Sequence, residues 1–133
     1  MEKAILCIDD EAIILMSLKQ ELRRAFGSSF IYETARDGAE ALEIMEGLSA
    51  EGIRLILVIS DWLMPGIPAD ELIGRIRQTC TDIKIIIITG QANETRILQL
   101  QNEKIVNALI RKPWSHNTLV STVQSCLEEI DEA

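Results

Sequence analysis

Short apolar runs alternate along this chain with longer stretches in which apolar residues recur every three or four positions. Residues 4–8, 55–60, 84–89 and 108–110 are strand-length and rich in Ile, Leu and Val, which predicts strands buried on both faces. Residues 30–35 form another such run, and polar Glu33 and Thr34 mark it as an edge strand. Ile85 to Ile88 are apolar without a break, which predicts a central position for the 84–89 strand.

Between these runs the period changes to that of a helix. Leu15, Leu18, Leu22 and Phe26 share one face, and Gly27-Ser28-Ser29 ends that segment. Asp37 and Glu40 have capping-box spacing, with Asp in place of Ser or Thr, ahead of Ala41, Ile44, Met45 and Leu48. Pro68 suits the first turn of a third helix, where its missing N–H costs nothing, and Leu72, Ile73 and Ile76 face inward there. Ile97 and Leu100 anchor a fourth helix over 94–103. Ser115 caps a fifth that carries Leu119, Val123, Leu127 and Ile130. Strands alternating with helices predict an α/β, doubly wound parallel sheet of five strands, with helices on both faces and a single domain over 1–133.

In such a sheet, ligands gather at the carboxyl ends of the strands. Polar residues stand at those ends here: Asp9-Asp10-Glu11, Asp61, Thr89-Gly90 and Lys112-Pro113. Taken singly, each has an ordinary structural role. Acids cap helix starts, Thr closes a strand end, and Lys forms surface ion pairs. Together, carboxylates, a hydroxyl and an ammonium form a set able to hold a divalent cation and handle a phosphoryl group. Mg²⁺ takes oxygen ligands from one or two carboxylates plus phosphate and water, which makes Asp9, Asp10 and Asp61 the candidate ligands. Asp61 is the candidate nucleophile, since a carboxylate can attack phosphorus and form an acyl phosphate. Lys112 and Thr89 would contact phosphoryl oxygens, and Gly90 allows the backbone to approach closely.

Composition narrows the function classes. The chain has 133 residues, is 47% hydrophobic and 26% charged, and carries a formal net charge of −8. Such a balance fits a folded globule and argues against direct nucleic-acid binding, which needs a basic face. Cys7, Cys80 and Cys126 are widely spaced without a CxxC pair, as expected for reduced thiols and not for a disulfide framework or a zinc site. The first apolar run stops at Asp9, too short for a secretory signal, and no apolar stretch is long enough to span a bilayer. The expectation is a cytoplasmic protein without membrane partners.

Asp61-Trp62-Leu63-Met64-Pro65-Gly66 resembles the phosphorylation segment of bacterial response-regulator receiver domains, of the chemotaxis-regulator type in two-component signalling. Asp9-Asp10, Thr89-Gly90 and Lys112-Pro113 match that family's other marks in order, and the resemblance covers about residues 3–127. It implies a flavodoxin-like (βα)5 fold with sheet order 2-1-3-4-5. It also implies that Asp61 accepts a phosphoryl group from a histidine kinase or phosphotransfer protein. Mg²⁺ would be held by Asp10, Asp61, the Leu63 backbone carbonyl and, through water, Asp9. Thr89 and Lys112 would bind the phosphoryl group, with Trp62 and Gly90 beside it. Such a domain catalyses its own phosphorylation without being a turnover enzyme. Its downstream partner is a target protein or a fused output domain.

The face formed by the fourth helix, fifth strand and fifth helix is where receivers pair or dock outputs. Arg96, Gln99, Glu103 and Arg111 are the polar candidates on it. Three positions depart from the family pattern. Leu109 stands where a Tyr or Phe often precedes the Lys by three residues, and Ala69 replaces a common Gly. Leu63 and Gln91 occupy positions that orient hydrolytic water, where Leu cannot hydrogen-bond and Gln can, which implies slow loss of the phosphoryl group. Movement of the 90–95 loop would remain available without the aromatic ring. The Lys112-Pro113 bond resembles one that is cis in the family and aims the lysine. Trp114 is expected to pack at the start of the last helix, and His116 to be a solvated first-turn residue. Two other functions compete. One is a docking module on the same fold that works without phosphorylation. The other is a flavin binder, which Asp9-Asp10-Glu11 would repel through the cofactor's phosphate.

Overall fold

The computed structural model describes residues 1–90 and 94–132; Gln91, and with it the loop movement expected over 90–95, lies outside the described residues, as does the Ile130 side chain. The elements run β1 (Lys3–Ile8), α1 (Ala12–Phe26), β2 (Ile31–Ala35), α2 (Gly38–Ala50), β3 (Arg54–Asp61), α3 (Ala69–Thr79), β4 (Lys84–Thr89), α4 (Glu94–Asn102), β5 (Ala108–Arg111) and α5 (His116–Glu132). All strand pairs are parallel and the sheet order is β2-β1-β3-β4-β5. The fold is therefore the five-stranded doubly wound one that the sequence implies.

Alternation along the strands divides the core in two. Leu6, Ile8, Ile85 and Ile87 join Ala41, Met45, Leu72, Ile76 and Ile97 on the side of α2, α3 and α4. Ile5, Cys7, Ile86 and Ile88 join Leu15, Leu18, Leu22, Leu119 and Val123 on the side of α1 and α5. Burial on both faces explains why these strands read as unbroken apolar runs. Burial raises the thiol pKa of Cys7 in β1 to about 12 and, with the Glu129 charge, that of Cys126 on α5 to about 11, which leaves both thiols protonated and unreactive at neutral pH.

β4 lies inside the sheet, but the middle strand is β3. Apolarity on both faces marks any internal strand, so it could not separate the two. Ala4 pairs with Leu55 and Ile5 with Leu57, so Ile56 is an extra residue in β3. The capping expectations for α2 and α5 hold, with Asp37 Oδ1 accepting from Glu40 N at 2.8 Å and Ser115 Oγ from Thr118 N at 3.1 Å. Pro68 sits one position earlier than expected, as the extended residue before α3. The Pro65-Gly66 turn ahead of it needs φ of +88° at Gly66, which glycine adopts without strain.

Arg77 of α3 braces the starts of the strand that ends in Thr89 and of the strand that leads into Lys112. Its guanidinium donates to the carbonyls of Ile83 and Thr81 before β4, and to those of Ile105 and the Asn107 side chain before β5. Asn107 Oδ1 also accepts from Ile85 N at 2.8 Å. Burial lowers the Arg77 pKa, yet the group stays charged and all its acceptors are neutral. Arg77→Ala is expected to cost about 2 kcal/mol, because water can reach the carbonyls left behind. Urea denaturation with an unchanged m-value checks this.

Candidate functional site

β1 and β3 are neighbours whose onward connections leave in opposite directions, to β2 and to β4. The crevice between their carboxyl ends is where a doubly wound sheet binds ligands. Asp9 follows β1 directly, and its N–H donates to the Ala35 carbonyl of β2 at 3.1 Å. Its side chain is fully buried, with Oδ1 accepting from Glu11 N at 2.9 Å. Asp10 is exposed, and its carbonyl accepts from Arg36 at 3.0 Å. Asp61 ends β3, is 7% exposed, and accepts from Leu63 N at 3.4 Å through Oδ1.

Lys112 closes this group from β5. Its Nζ donates to Asp9 Oδ2 at 2.7 Å and to Asp61 Oδ2 at 3.3 Å. Its backbone N–H donates to the Thr89 carbonyl at 2.9 Å, which ties the end of β5 to the end of β4. The Lys112-Pro113 bond is cis, as the resemblance implied. Thr89 is buried, while Gly90 is exposed and lies beside Lys112. A methyl group on Gly90 would touch Lys112 Cβ at 3.5 Å, an ordinary contact, so no neighbour among the described residues forces glycine there.

Electrostatics follow from this crowding. Burial raises the Asp61 pKa first, the Asp9 carboxylate adds to the rise, and Lys112 and the Leu63 N–H oppose it. Burial works against the Lys112 ammonium. Its bond to Asp9 and the charges of Asp61 and Asp9 outweigh that, and its pKa lies above the ordinary lysine value.

One oxygen from each of Asp9, Asp10 and Asp61 lies within 4.8 Å of the others. A cluster of oxygen donors on that scale, open to water through Asp10, is the kind of set that a hard divalent cation takes.

A sequence model of the family described as "Response regulator receiver domain" matches residues 5–124. The chain belongs to that family. Among relatives of this receiver is the sensor kinase CckA of Brucella abortus, 32% identical over 127 residues, which cover 96% of this chain and 13% of that protein. Another is the alkaline phosphatase synthesis transcriptional regulatory protein PhoP of Bacillus subtilis, 29% identical, covering all of this chain and 52% of that protein. The receiver thus spans about half or less of the curated relatives it matches. The signal receiver domain of an HD domain-containing protein from Pseudomonas fluorescens Pf-5 superposes with a TM-score of 0.84 at 26% identity, covering 100% of each chain. A CheY-like receiver from Methanospirillum hungatei JF-1 gives 0.82 at 26% identity, over 99% of this chain and 98% of that one.

Other sequence expectations divide. Trp62 is half-buried against the α2–α4 side of the core, next to Asp61, whereas Leu63 is 54% exposed. Leu109 is half-buried and packs against that same core side. Trp114 packs at the start of α5 as expected. His116 is exposed but not simply solvated, because its Nδ1 lies 3.0 Å from Glu21 Oε1. Arg96 pairs with Asp70 of α3 at 3.7 Å, so it is partly committed within its own fold. Sequence reasoning missed Glu21 altogether, since a single acid on the polar side of an amphipathic helix carries no signal of its own.

Proposed function

We propose that this receiver accepts a phosphoryl group on Asp61 from the phosphohistidine of a kinase or phosphotransfer protein and thereby switches a protein-binding surface. The observation that carries this reading is the meeting of Asp9, Asp61 and Lys112 within hydrogen-bond distance, from the ends of three different strands. An Asp61 oxygen attacks phosphorus, the P–N bond breaks, and its electron pair leaves on the imidazole nitrogen, which takes up a proton. Lys112 turns from the carboxylates to the phosphoryl oxygens, and the Thr89 hydroxyl donates to another of them. Asp10, Asp61, the Leu63 carbonyl and, through water, Asp9 would hold Mg²⁺, which offsets the negative charge between nucleophile and donor. Trp62 and Gly90 border the modified carboxylate.

The switch is a signalling step and not a turnover reaction. Residues 1–133 would act as one receiver unit with a core of about 3–127. Its output would be a protein target or a fused domain, and pairing through the α4–β5–α5 face is a second use of that surface. No helix among the described residues is long and apolar enough to cross a membrane, in keeping with work in the cytoplasm.

Incubation with acetyl phosphate tests the reading. Intact mass should show one phosphoryl adduct with Mg²⁺ and none with chelator, and peptide mapping after borohydride reduction, which expels the phosphate and leaves homoserine, should find that mark at residue 61. An adduct elsewhere, or one indifferent to Mg²⁺, would rule the assignment out. Well-folded protein that is inert to small donors and to kinases would favour the phosphorylation-independent docking module.

A further inference from the structure

Glu21 sits midway along α1, outside the acidic crevice, yet its carboxylate is heavily engaged. Its side chain is only 17% exposed. Trp114 Nε1 donates to both oxygens, at 3.3 Å and 3.1 Å. His116 Nδ1 lies 3.0 Å from Oε1, and Ser17 Oγ donates to Oε2 at 2.9 Å. Two of these three partners belong to the segment that leaves β5 immediately after Lys112.

We propose that Glu21 is a positioning residue for phosphoryl transfer, holding the segment 112–116 against α1 and so setting where the Lys112 ammonium meets the phosphoryl group. The inference rests on the reading of Asp61 as phosphoacceptor. A lysine is a point charge on a flexible stem, so its reach is set by where its backbone is pinned. On one side Lys112 is pinned by its N–H to the Thr89 carbonyl. On the other side β5 has ended and Pro113 has no N–H to offer. The next side chain along is Trp114, whose ring is seated against the α1–α5 core and whose N–H is thereby aimed at Glu21. A groove of about 400 Å³ lined by Ile14, Ser17, Glu21, Lys112, Pro113 and Trp114 lies beside this segment. The Trp114 ring holds the segment on its core side, and on the groove side the bonds to Glu21 hold it.

The test is the rate of adduct formation from phosphoramidate at saturating Mg²⁺, followed by intact mass. Mg²⁺ affinity is measured alongside it by tryptophan fluorescence, and the melting temperature by circular dichroism. Glu21→Ala and Trp114→Phe should each label about tenfold more slowly than wild type, the scale of a small misplacement of a reacting group. Mg²⁺ affinity should stay within about twofold, because the carboxylates are untouched. The double variant should be no slower than the slower single one, as for two ends of one contact. Glu21→Gln, which keeps an acceptor for Trp114, should recover most of the rate. Trp114→Phe keeps an aromatic ring in the core while removing the N–H, and carries the test even where Glu21→Ala folds poorly. A lowered melting temperature with unchanged labelling rates would reduce Glu21 to a helix-to-helix staple and overturn the inference alone. Well-folded wild-type protein that takes no adduct from phosphoramidate, acetyl phosphate or a phosphorylated kinase would overturn the Asp61 reading, and this one with it.

Discussion

Asp61→Asn is expected to take up no phosphoryl group from any donor and, without divalent cation at neutral pH, to melt a few degrees above wild type. The first effect follows from the loss of the nucleophilic oxygen. The second follows from the cost of keeping Asp61 ionised where burial and the Asp9 charge raise its pKa. A carboxyl group with a raised folded-state pKa favours the fold while it is protonated. That contribution is complete below the unfolded-state value and is lost as pH rises through the folded-state value. Asparagine does not ionise, so the gap between variant and wild type should be small in acid and open as pH climbs above the usual carboxylate range. Lys112 keeps its shorter bond, to Asp9, in the variant. Excess Mg²⁺ should narrow the gap, because binding to the folded form stabilises the protein that binds more tightly. Thermal melts from pH 3 to 8, with chelator and with Mg²⁺, read the whole pattern. A variant that melts below wild type at neutral pH in chelator would show that the Asp61–Lys112 attraction outweighs burial.

Lys112→Ala should label about a hundredfold more slowly, the scale of losing one preorganised donor to a developing oxyanion. It should also bind Mg²⁺ more tightly than wild type. The ammonium occupies Asp9 Oδ2 and Asp61 Oδ2, carboxylates that the cation would share, so removing it removes a competitor and leaves a buried Asp9 without this partner. Tighter metal binding combined with slower chemistry is a pairing that simple unfolding cannot produce. Lys112→Arg should not restore the rate, since a planar fork on a different stem cannot reproduce the position of the ammonium. Fluorescence titration of Trp62 gives the affinity, and a mass time course gives the rate. Weaker Mg²⁺ binding in Lys112→Ala would mean that the lysine organises the carboxylates instead of competing for them.

Much of the fold was legible because its signals are local. Two periods separate strand from helix, and the caps at Asp37 and Ser115 are read within four residues. Other features were not. The extra residue in β3 falls within the run Leu55-Ile56-Leu57-Val58-Ile59, where every side chain is apolar and parity leaves no trace. Likewise β4 reads as central because it is apolar on both faces, but so is β3, which holds the middle. The brace at Arg77 was invisible, because its acceptors are mainly backbone carbonyls, which every residue carries.

The available chemistry can be read along the chain alone: acids after the first and third strands, Thr-Gly after the fourth, and Lys after the fifth. That much follows from local pattern, since a strand end and the residue just beyond it are neighbours in the chain. Which of these groups touch depends on how the strands assemble. Lys112 reaches Asp9 across 103 residues, and it does so because the sheet places β1, β3, β4 and β5 side by side with their carboxyl ends level. The same holds for Glu21, which gained Trp114 and His116 as partners only when α1 and the start of α5 packed on one face of the sheet. Periodicity encodes which face of an element is buried; it does not encode the neighbour that the face will meet, and here that neighbour decides the position of the charge.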